Sequence, residues 1–547
     1  MELGHDLRRD SPSSAAHRAP CRAPATVVRH RRARGSAAIA RGARWTCRGS
    51  VTPNRGVAAE VLGARRSTGT HRGLTGVTAL AAADLTRHAG SARLSVWRTR
   101  WRIEVIPAAV ALAALVLYLT VGLLRYLTYH AGYDLGYFAQ VVDRTASGHP
   151  FETSFAPYSF LGQHWEPALL LPALVTRVIA TPVLLIGLQS IALAAAPVGA
   201  WRLARVWIGG RLAPAAACLA TALSPLAAAG AVSDFHTEAV TPALALFALD
   251  GAARGRRWAF LVPAAALFLV KEDAMLVAAG VGWIAWRANG RRLGIVLAVA
   301  GIAGFAITAG VIMPALRGGR PPTELAARYA YLGLTPAAVA HGAVLHPTAV
   351  LAHLTGGYSR WGWLRAFGPL VFLPLLAGTA LLGVLPALLV ALLSDSQWQA
   401  SLDFQYGLEV LPLLLACALL GWRRVAPRRG GRAPAVCAGA LVTAALVAYL
   451  ASGYLPGGHG FDVARVTGLE RRGAVEAVLR LVPQDASVSA STGLLAHLAN
   501  RAAIYQFPDG MGARCVVLDG DASAGAVLPT EGYHLVTSAG GVTLWER

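Results

Sequence analysis

Residues 258–286 read WAFLVPAAALFLVKEDAMLVAAGVGWIAW, two apolar runs that are separated by the charged triplet Lys271-Glu272-Asp273. Each run is long enough for a short helix in a bilayer, so we predict two helices that meet at the triplet. A tight hairpin turn is the simpler explanation of the break, although three charges are more than a turn needs. Charged groups at membrane depth are costly and usually functional. We therefore expect the three side chains to pair with one another and to bind substrate, with Lys271 contacting an anionic phosphate.

The composition extends this interpretation to the whole chain. Of its 547 residues, 55% are hydrophobic and only 14% are charged, and the mean hydropathy is +0.49, values typical of a polytopic membrane protein. The net charge of +22 is concentrated in residues 1–100, which contain 19 arginines and 5 acidic residues. No nucleic-acid recognition fold accompanies this charge, so we do not expect nucleic acid as a partner. The six cysteines have no paired spacing, which argues against a disulfide framework and a zinc site.

The apolar runs predict an all-α transmembrane domain of about eleven helices. The block 366–394 is interpreted as two short helices that break near Gly378 and Gly383. A single helix there would place the arginine-rich loop after residue 422 outside, against the rule that such loops stay cytoplasmic. The proline-broken segment 166–181 is too short to span and is expected to be re-entrant or to lie along the membrane surface. The other candidate spans are 103–124, 182–204, 211–232, 238–253, 257–271, 273–288, 293–315, 406–422 and 434–454.

The first two predicted domains follow from charge and hydropathy. Residues 1–100 are predicted to be a basic, disordered segment, which is either a cytoplasmic tail or the product of a mis-assigned start codon. Residues 101–454 are predicted to form the multi-pass transmembrane domain, with external loops at 125–181 and 316–364. Cations and aromatic rings in the second loop suit contact with lipid headgroups, and its tryptophans suit stacking on sugars.

The third predicted domain, residues 455–547, is more polar. It contains an amphipathic run at 473–481 and short β-like runs at 486–489 and 515–518, so we predict a small α/β domain. With the N-terminus in the cytoplasm, the span count places this domain outside. The chain is accordingly expected to be a multi-pass protein of a bacterial plasma membrane.

Charged residues alternate between the breaks of the apolar runs. Arginines occupy one set of breaks, as Arg202/Arg205/Arg211, Arg254/Arg256/Arg257 and Arg287/Arg291/Arg292. Acidic and histidine side chains occupy the others, as Tyr133-Asp134-Leu135-Gly136, Gln163-His164-Trp165-Glu166, Asp234-Phe235-His236-Thr237-Glu238 and Lys271-Glu272-Asp273. Because arginine-rich loops stay cytoplasmic, the four acidic and histidine clusters should share the external face and form a functional site there.

The first external loop supplies the candidate catalytic residues. Asp134 and Gln140 bracket about two helical turns and are predicted to face one side of a short helix, Gln140 as a substrate-binding residue. A carboxylate at Asp134 could take a proton from an acceptor hydroxyl or bind a divalent metal beside a phosphate leaving group; the alternative is a helix N-cap. His164 is a candidate general acid or phosphate donor, or else an interfacial histidine beside Trp165.

The segment Asp234-Phe235-His236-Thr237-Glu238 is the candidate metal site. In an extended segment the alternating side chains of Asp234, His236 and Glu238 would point to one side and could hold one divalent ion. The alternative is structural, with Asp234 capping a helix and Glu238 favouring the helix dipole. Apart from this candidate ion, the sequence indicates no cofactor.

Together these motifs resemble a bacterial membrane-protein family, domain-of-unknown-function family two-zero-seven-nine, over about residues 100–520. The chain departs from the family pattern at Gln163, where the family usually has Asp, and at Gln405, where it tends to have His. The motifs are Asp134-Leu135-Gly136-x-Phe138-x-Gln140, Gly162-x-His164-x-x-Pro167, Gln189-Ser190, Asp234-Phe235-His236-x-Glu238, Lys271-Glu272-Asp273, Ser489-Ala490-Ser491, His497-Leu498-Ala499-Asn500-Arg501 and Tyr505-Gln506-Phe507-Pro508.

The layout of that family is similar to the type C glycosyltransferases, multi-pass enzymes that use polyprenyl-phosphate sugars as donors. This similarity implies that Asp134 is the base or a metal ligand and that His164, His236 and Lys271 lie on the lipid-phosphate side. It implies a lipid-linked glycosyltransferase-like enzyme at the external face, with membrane lipids and a polyprenyl-phosphate-linked sugar as partners. Because fold does not fix function, a transporter or lipid flippase and a non-catalytic envelope scaffold stay open.

Overall fold

The computed structural model of the protein describes residues 105–320, 327–426, 431–520 and 527–547. The segment predicted to be disordered, residues 1–100, lies outside the described residues. The α-helices of eight or more residues in the described ranges are α1 (Val105–Leu127), α2 (Tyr133–Ala146), α3 (Thr181–Trp207), α4 (Leu212–Ala222), α5 (Pro225–Val232), α6 (Thr241–Ala253), α7 (Arg257–Val270), α8 (Ala274–Asn289), α9 (Arg292–Ile307), α10 (Pro336–Leu345), α11 (Pro347–Thr355), α12 (Ser359–Phe367), α13 (Leu385–Leu392), α14 (Leu411–Val425), α15 (Ala433–Ser452) and α16 (Arg472–Leu479).

Proline starts many of these helices, as at Pro182, Pro225 and Pro412, because its missing N–H is not needed in the first helical turn. The largest buried cluster joins α3 to α8 with α12 to α15 and consists mainly of alanine and leucine. Small residues let the helices approach closely: a Cβ at Gly282 of α8 would lie 2.5 Å from the carbonyl oxygen of Gly294 of α9. The bundle therefore packs by backbone proximity rather than by large side chains.

Among the described residues, five helices are long and apolar enough to cross a membrane, and the number rises to eight if each bent helix pair is one span. The five are Val105–Leu127, Thr181–Trp207, Leu212–Val232, Arg292–Leu316 and Ala433–Ser452. This confirms a helical polytopic architecture. The total of eleven spans and the sidedness of the loops stay predictions.

The block predicted to break near Gly378 does break there. A 3₁₀-helix runs from Leu373 to Gly383, and Gly378 inside it adopts φ 60° and ψ −141°, a conformation that favours glycine. This 3₁₀-helix is also bent by 114° from the preceding Ser359–Leu370. The block therefore breaks at Gly378 as predicted, whereas its interpretation as two separate spans stays a prediction.

The proline-broken segment before α3 forms only short helices, Pro167–Leu169 and Leu170–Ala173. Its apolar side chains are largely exposed, with Leu174 at 80% and Val178 at 85%. Exposed leucine and valine on such a short element suit contact with lipid rather than water, in agreement with a surface or re-entrant segment.

The C-terminal region is a small α/β domain, as predicted. Its five strands are β1 (Val488–Ala490), β2 (Ile504–Gln506), β3 (Cys515–Asp519), β4 (His534–Ala539) and β5 (Val542–Glu546), in the order β2-β1-β3-β5-β4. Strand β1 pairs in parallel with β2 and β3, while β5 runs antiparallel to β3 and β4. Gly540 and Gly541, both with positive φ, form the turn that joins β4 to β5. Helix α16 covers the sheet through Val475 and Val478, which are buried with β1 and β3.

Candidate active site

Helix α2 presents Asp134 from its first turn. The helix follows Gly132, whose N–H donates to Oδ1 of Asp234 at 2.9 Å, and a Cβ at Gly132 would lie 2.4 Å from Oδ2 of Asp234. Asp234 also faces Arg125, with 3.5 Å between Oδ1 and Nη2. Asp234 therefore fixes the start of α2. The N-cap residue of α2 is Gly132, so Asp134 is not the helix cap that the sequence offered as the alternative.

The partner of Asp134 is His236. Its Nε2 lies 3.5 Å from Oδ2 of Asp134, and the imidazole is 7% exposed whereas the carboxylate side chain is 44% exposed. The Nδ1 atom of His236 lies 2.9 Å from the carbonyl oxygen of Asp234, so Nδ1 carries the proton that is donated to that oxygen. The backbone N–H of His236 donates to Oε1 of Gln189 at 2.9 Å. These contacts orient the ring, so that Nε2 points at Asp134.

Electrostatics make this pair ionic near neutral pH. Burial alone would lower the pKa of His236, but the carboxylates of Asp134 and Glu238 raise it to about 9. Burial would raise the pKa of Asp134, but the facing His236 outweighs it and holds that pKa below its usual value. An imidazolium and a carboxylate thus stabilise each other.

A second ion pair joins Lys271 to Glu238. Lys271 follows the last residue of α7, and its Nζ donates to Oε1 of Glu238, which lies in the 3₁₀-helix Thr237–Val240. Their side chains are 10% and 3% exposed. The predicted pairing of Lys271 within its own triplet differs from this arrangement, because adjacent turn residues diverge and the ammonium reaches another loop.

Glu272, the next residue, binds the first external loop. It accepts hydrogen bonds from Nδ1 of His164 at 3.1 Å and from the N–H of Trp165 at 2.8 Å. The indole N–H of Trp165 donates to the carbonyl oxygen of Phe268 at 3.1 Å. His164 is thus held by a carboxylate, and Nε2 is the ring atom left to face a ligand.

The predicted metal triad is not assembled. Asp234 faces Arg125 and Gly132, His236 faces Asp134, and Glu238 faces Lys271. The reason is that Thr237–Val240 is helical rather than extended, so the side chains do not alternate as the prediction required. Within the described ranges, no group of three or more His, Cys, Asp or Glu side chains could hold a metal ion.

Gln140 also lies elsewhere than predicted. It is fully buried, and its amide N–H₂ donates to Oγ of Ser154 at 2.9 Å and to the carbonyl oxygen of Arg501 at 3.1 Å. Six helical positions separate it from Asp134, which places the two residues about 120° apart around α2. Gln140 therefore ties α2 to the C-terminal domain instead of facing the site.

Glu166 is a site residue to which the sequence analysis assigned no role. Its side chain is buried, and neither carboxylate oxygen has a hydrogen bond among the residues described by the structure. Burial, followed by the charge of Glu238, raises its pKa well above the usual value. The sequence signal was available, because Glu166 stands two residues after His164 and before Pro167, in a loop otherwise poor in charge.

A cavity of about 310 Å³ opens beside this network. Arg317 is anchored by donating to the carbonyl oxygen of Gly162 at 2.7 Å, and Arg328 lies over the ring of Tyr406 at 5.5 Å. The charged side chains of the wall are His164, Lys271, Glu272, Asp273, Arg317 and Arg328. Its apolar wall includes Phe305, Met313, Leu334, Val339, Leu389 and Leu393. A cavity with one charged wall and one apolar wall suits a ligand that has an anionic head and an apolar chain.

Comparisons with known proteins gave one family match and several matches among solved structures. No curated protein matches the chain. Four chains among solved structures match it, one of them "Crystal Structure of ArnT from Cupriavidus metallidurans bound to Undecaprenyl phosphate", with a TM-score of 0.43 and 13% identity over 82% of this chain and 98% of that chain. The family described as "Predicted membrane protein (DUF2079)" matches residues 125–517. Because this match spans well over half of the sequence, the chain belongs to that family of predicted membrane proteins.

Proposed function

We propose that the protein is a membrane transferase that takes a sugar or related group from a polyprenyl-phosphate donor at the external face of the plasma membrane. The observation that carries the proposal is the two-walled cavity of about 310 Å³. Lys271, Arg317 and Arg328 would neutralise the donor phosphate, and the apolar wall would hold the first isoprene units. A soluble phosphorylated sugar has no hydrocarbon chain that could contact the apolar wall.

Asp134 is the proposed base. It is ionised because His236 faces it, and it is exposed enough for an acceptor hydroxyl to reach it. In the transfer, the acceptor oxygen bonds to the anomeric carbon, its proton passes to Asp134, and the bond from that carbon to the phosphate oxygen breaks. Since its pKa is low, Asp134 accepts the proton late, after the attacking oxygen has become acidic.

The leaving group is polyprenyl phosphate, which keeps the electron pair of the broken bond. Lys271 and Arg317 stabilise its negative charge, and His164, held by Glu272 at Nδ1, would donate a hydrogen bond from Nε2 in its doubly protonated form. Asp273, which also lines the cavity, would bind hydroxyl groups of the transferred sugar.

The test is Asp134→Asn in the full chain, reconstituted in lipid vesicles with a panel of polyprenyl-phosphate hexoses. We expect a loss of sugar release of about 10²-fold or more, the effect of removing a positioned base. Asp485→Asn, an exposed carboxylate of the C-terminal domain, is the matched control and should keep full activity. Undiminished release by Asp134→Asn would refute the mechanism. Lipid translocation by the wild type without any sugar release would favour the flippase alternative.

A further inference from the structure

A second and larger cavity, of about 690 Å³, lies beside the first but shares no lining residue with it. The segment 397–406 separates the two. Gln399 and Tyr406 of this segment face the first cavity, whereas Trp398 and Asp403 face the second. The proposed transfer reaction makes no use of this second cavity.

One wall of the second cavity is a face of α12. Trp361, Leu364, Arg365 and Gly368 recur at helical spacing and line it together. The helix is fixed in place at Gly362, where a Cβ would lie 2.2 Å from the carbonyl oxygen of Ala400. This close approach brings the guanidinium of Arg365 onto the segment that separates the cavities.

The polar floor of this second cavity is formed by Arg365, Ser401 and Asp403, and its charges are paired. The carboxylate of Asp403 pairs with Arg365, and it accepts hydrogen bonds from Oγ of Ser401 at 2.9 Å and from the hydroxyl of Tyr454 at 2.8 Å. Arg365 also donates to the carbonyl oxygen of Ser401 at 3.1 Å. A charged ligand would have to compete with this ion pair, so the floor favours a neutral polar group.

Aromatic rings surround the entrance. Tyr358, Trp361 and Trp398 are 53%, 54% and 36% exposed. Neither tryptophan donates its indole N–H to a partner among the described residues, and the side-chain amide of Gln397 beside them has no such partner either. Flat aromatic faces next to available N–H donors are the groups that bind the two sides of a sugar ring, the C–H face and the hydroxyl edge.

The opposite wall is α15, an apolar helix. Ala444, Val447, Ala448 and Ala451 face the cavity, and the small alanines leave room along the helix. Val447 is 58% exposed, and this helix meets the criteria for a membrane span. The cavity is therefore open sideways toward the region where lipid chains lie.

We propose that this second cavity binds a glycolipid, with an uncharged sugar headgroup between Trp361 and Trp398 and an alkyl chain along α15. The proposal stands on the lining of the cavity and does not depend on the proposed transfer reaction. An anionic lipid would not match the neutral floor, and a free sugar would leave the α15 wall uncovered.

The test uses the purified full chain in phosphatidylcholine nanodiscs and a trace of an alkyl maltoside with a photoreactive diazirine in its chain. We expect crosslinks in the α15 peptide, removed by excess dodecyl maltoside but not by dodecyl phosphocholine or free maltose. Trp398→Leu should reduce labelling about fivefold through the lost stacking. Trp361→Leu, on α12, is a second variant and should reduce labelling as well.

Trp258→Leu is the matched control, because Trp258 is 68% exposed at the start of α7 and lines neither cavity. The proposal is supported if this control is labelled at the wild-type level while both cavity variants are labelled less. Equal competition by dodecyl phosphocholine would show a site for any alkyl chain and would overturn it. Labelling that both cavity variants leave unchanged would overturn it as well. Neither result bears on the Asp134 experiment, so the two proposals fail separately.

Discussion

Nε2 of His236 lies 3.5 Å from Oδ2 of Asp134, a contact between α2 and the segment that follows α5. Two further contacts extend this link, from Glu238 to Lys271 and from Glu272 to His164. The four acidic and histidine clusters of the sequence are thus joined side chain to side chain. Because these contacts are direct, all four clusters lie at one end of the bundle, whichever face of the membrane that end occupies.

The first prediction concerns the charge of His236. Its pKa is about 9 in the folded protein and about 6.5 in an unfolded chain, so its protonation stabilises the fold. For a raised pKa the contribution is complete below pH 6.5 and is lost as the pH rises through 9. We expect His236→Gln to lower the free energy of unfolding by roughly 1 to 3 kcal/mol at pH 6, and by much less at pH 10.

Thermal unfolding of the detergent-solubilised protein between pH 6 and pH 10 measures this difference. In an Asp134→Asn background the difference should shrink and its midpoint should move to lower pH, because the facing carboxylate is gone. His149→Gln, at an exposed histidine, is the control and should show no such trend. A His236→Gln effect that is constant with pH would contradict the assignment of an imidazolium.

The second prediction contrasts two buried glutamates. Burial raises the pKa of Glu166 well above its usual value, so its carboxyl is expected to be protonated near neutral pH. Glu166→Gln replaces one neutral group with another, and we expect a change in unfolding free energy within about 1 kcal/mol. Glu238→Gln strands the ammonium of Lys271 in a buried site and should cost about 3 to 5 kcal/mol.

Unfolding at pH 7 in matched detergent separates the two variants. The double variant Glu238→Gln with Lys271→Met removes both charges and should recover most of the loss. Equal destabilisation by Glu166→Gln and Glu238→Gln would contradict this expectation. It would mean that Glu166 is ionised and is stabilised by a cationic partner.

The sequence predicted the parts that depend on local composition. The apolar runs predicted the helices, and Gly378 marked a break, because glycine alone adopts its backbone conformation without strain. The pairing of charges could not be predicted, since hydropathy does not specify which loops meet. Lys271 was assigned to its neighbours, and its partner Glu238 lies on another loop.

The third prediction concerns the contact between α2 and the C-terminal domain. A Cβ at Gly136 would lie 2.6 Å from Cβ of Leu495, and Gln140, about one turn further along α2, donates a hydrogen bond to the carbonyl oxygen of Arg501 in the same domain. Gly136→Ala should therefore loosen this contact and cost about 1 to 3 kcal/mol. Limited proteolysis should cut the linker between α15 and α16 faster than in the wild type.

Gly187→Ala in α3 is the matched control, because nothing lies within 4 Å of the added Cβ. It should leave the proteolysis rate unchanged and, if anything, stabilise its helix. Equal rates for wild type and Gly136→Ala would mean that the C-terminal domain does not rely on this approach to α2.

The last prediction concerns sidedness, on which the proposed external site depends. Arginine-rich breaks stay cytoplasmic, so a cysteine at Arg256, between α6 and α7, should react with a membrane-impermeant maleimide only after permeabilisation. A cysteine at Ser147, which follows α2, should react in intact cells. Both positions are exposed, and all six native cysteines are replaced by serine beforehand. Asp134 lies on α2, the helix that ends just before Ser147. Labelling of Ser147→Cys only from the cytoplasmic side would therefore place the Asp134 carboxylate on that side, where an external acceptor could not reach it.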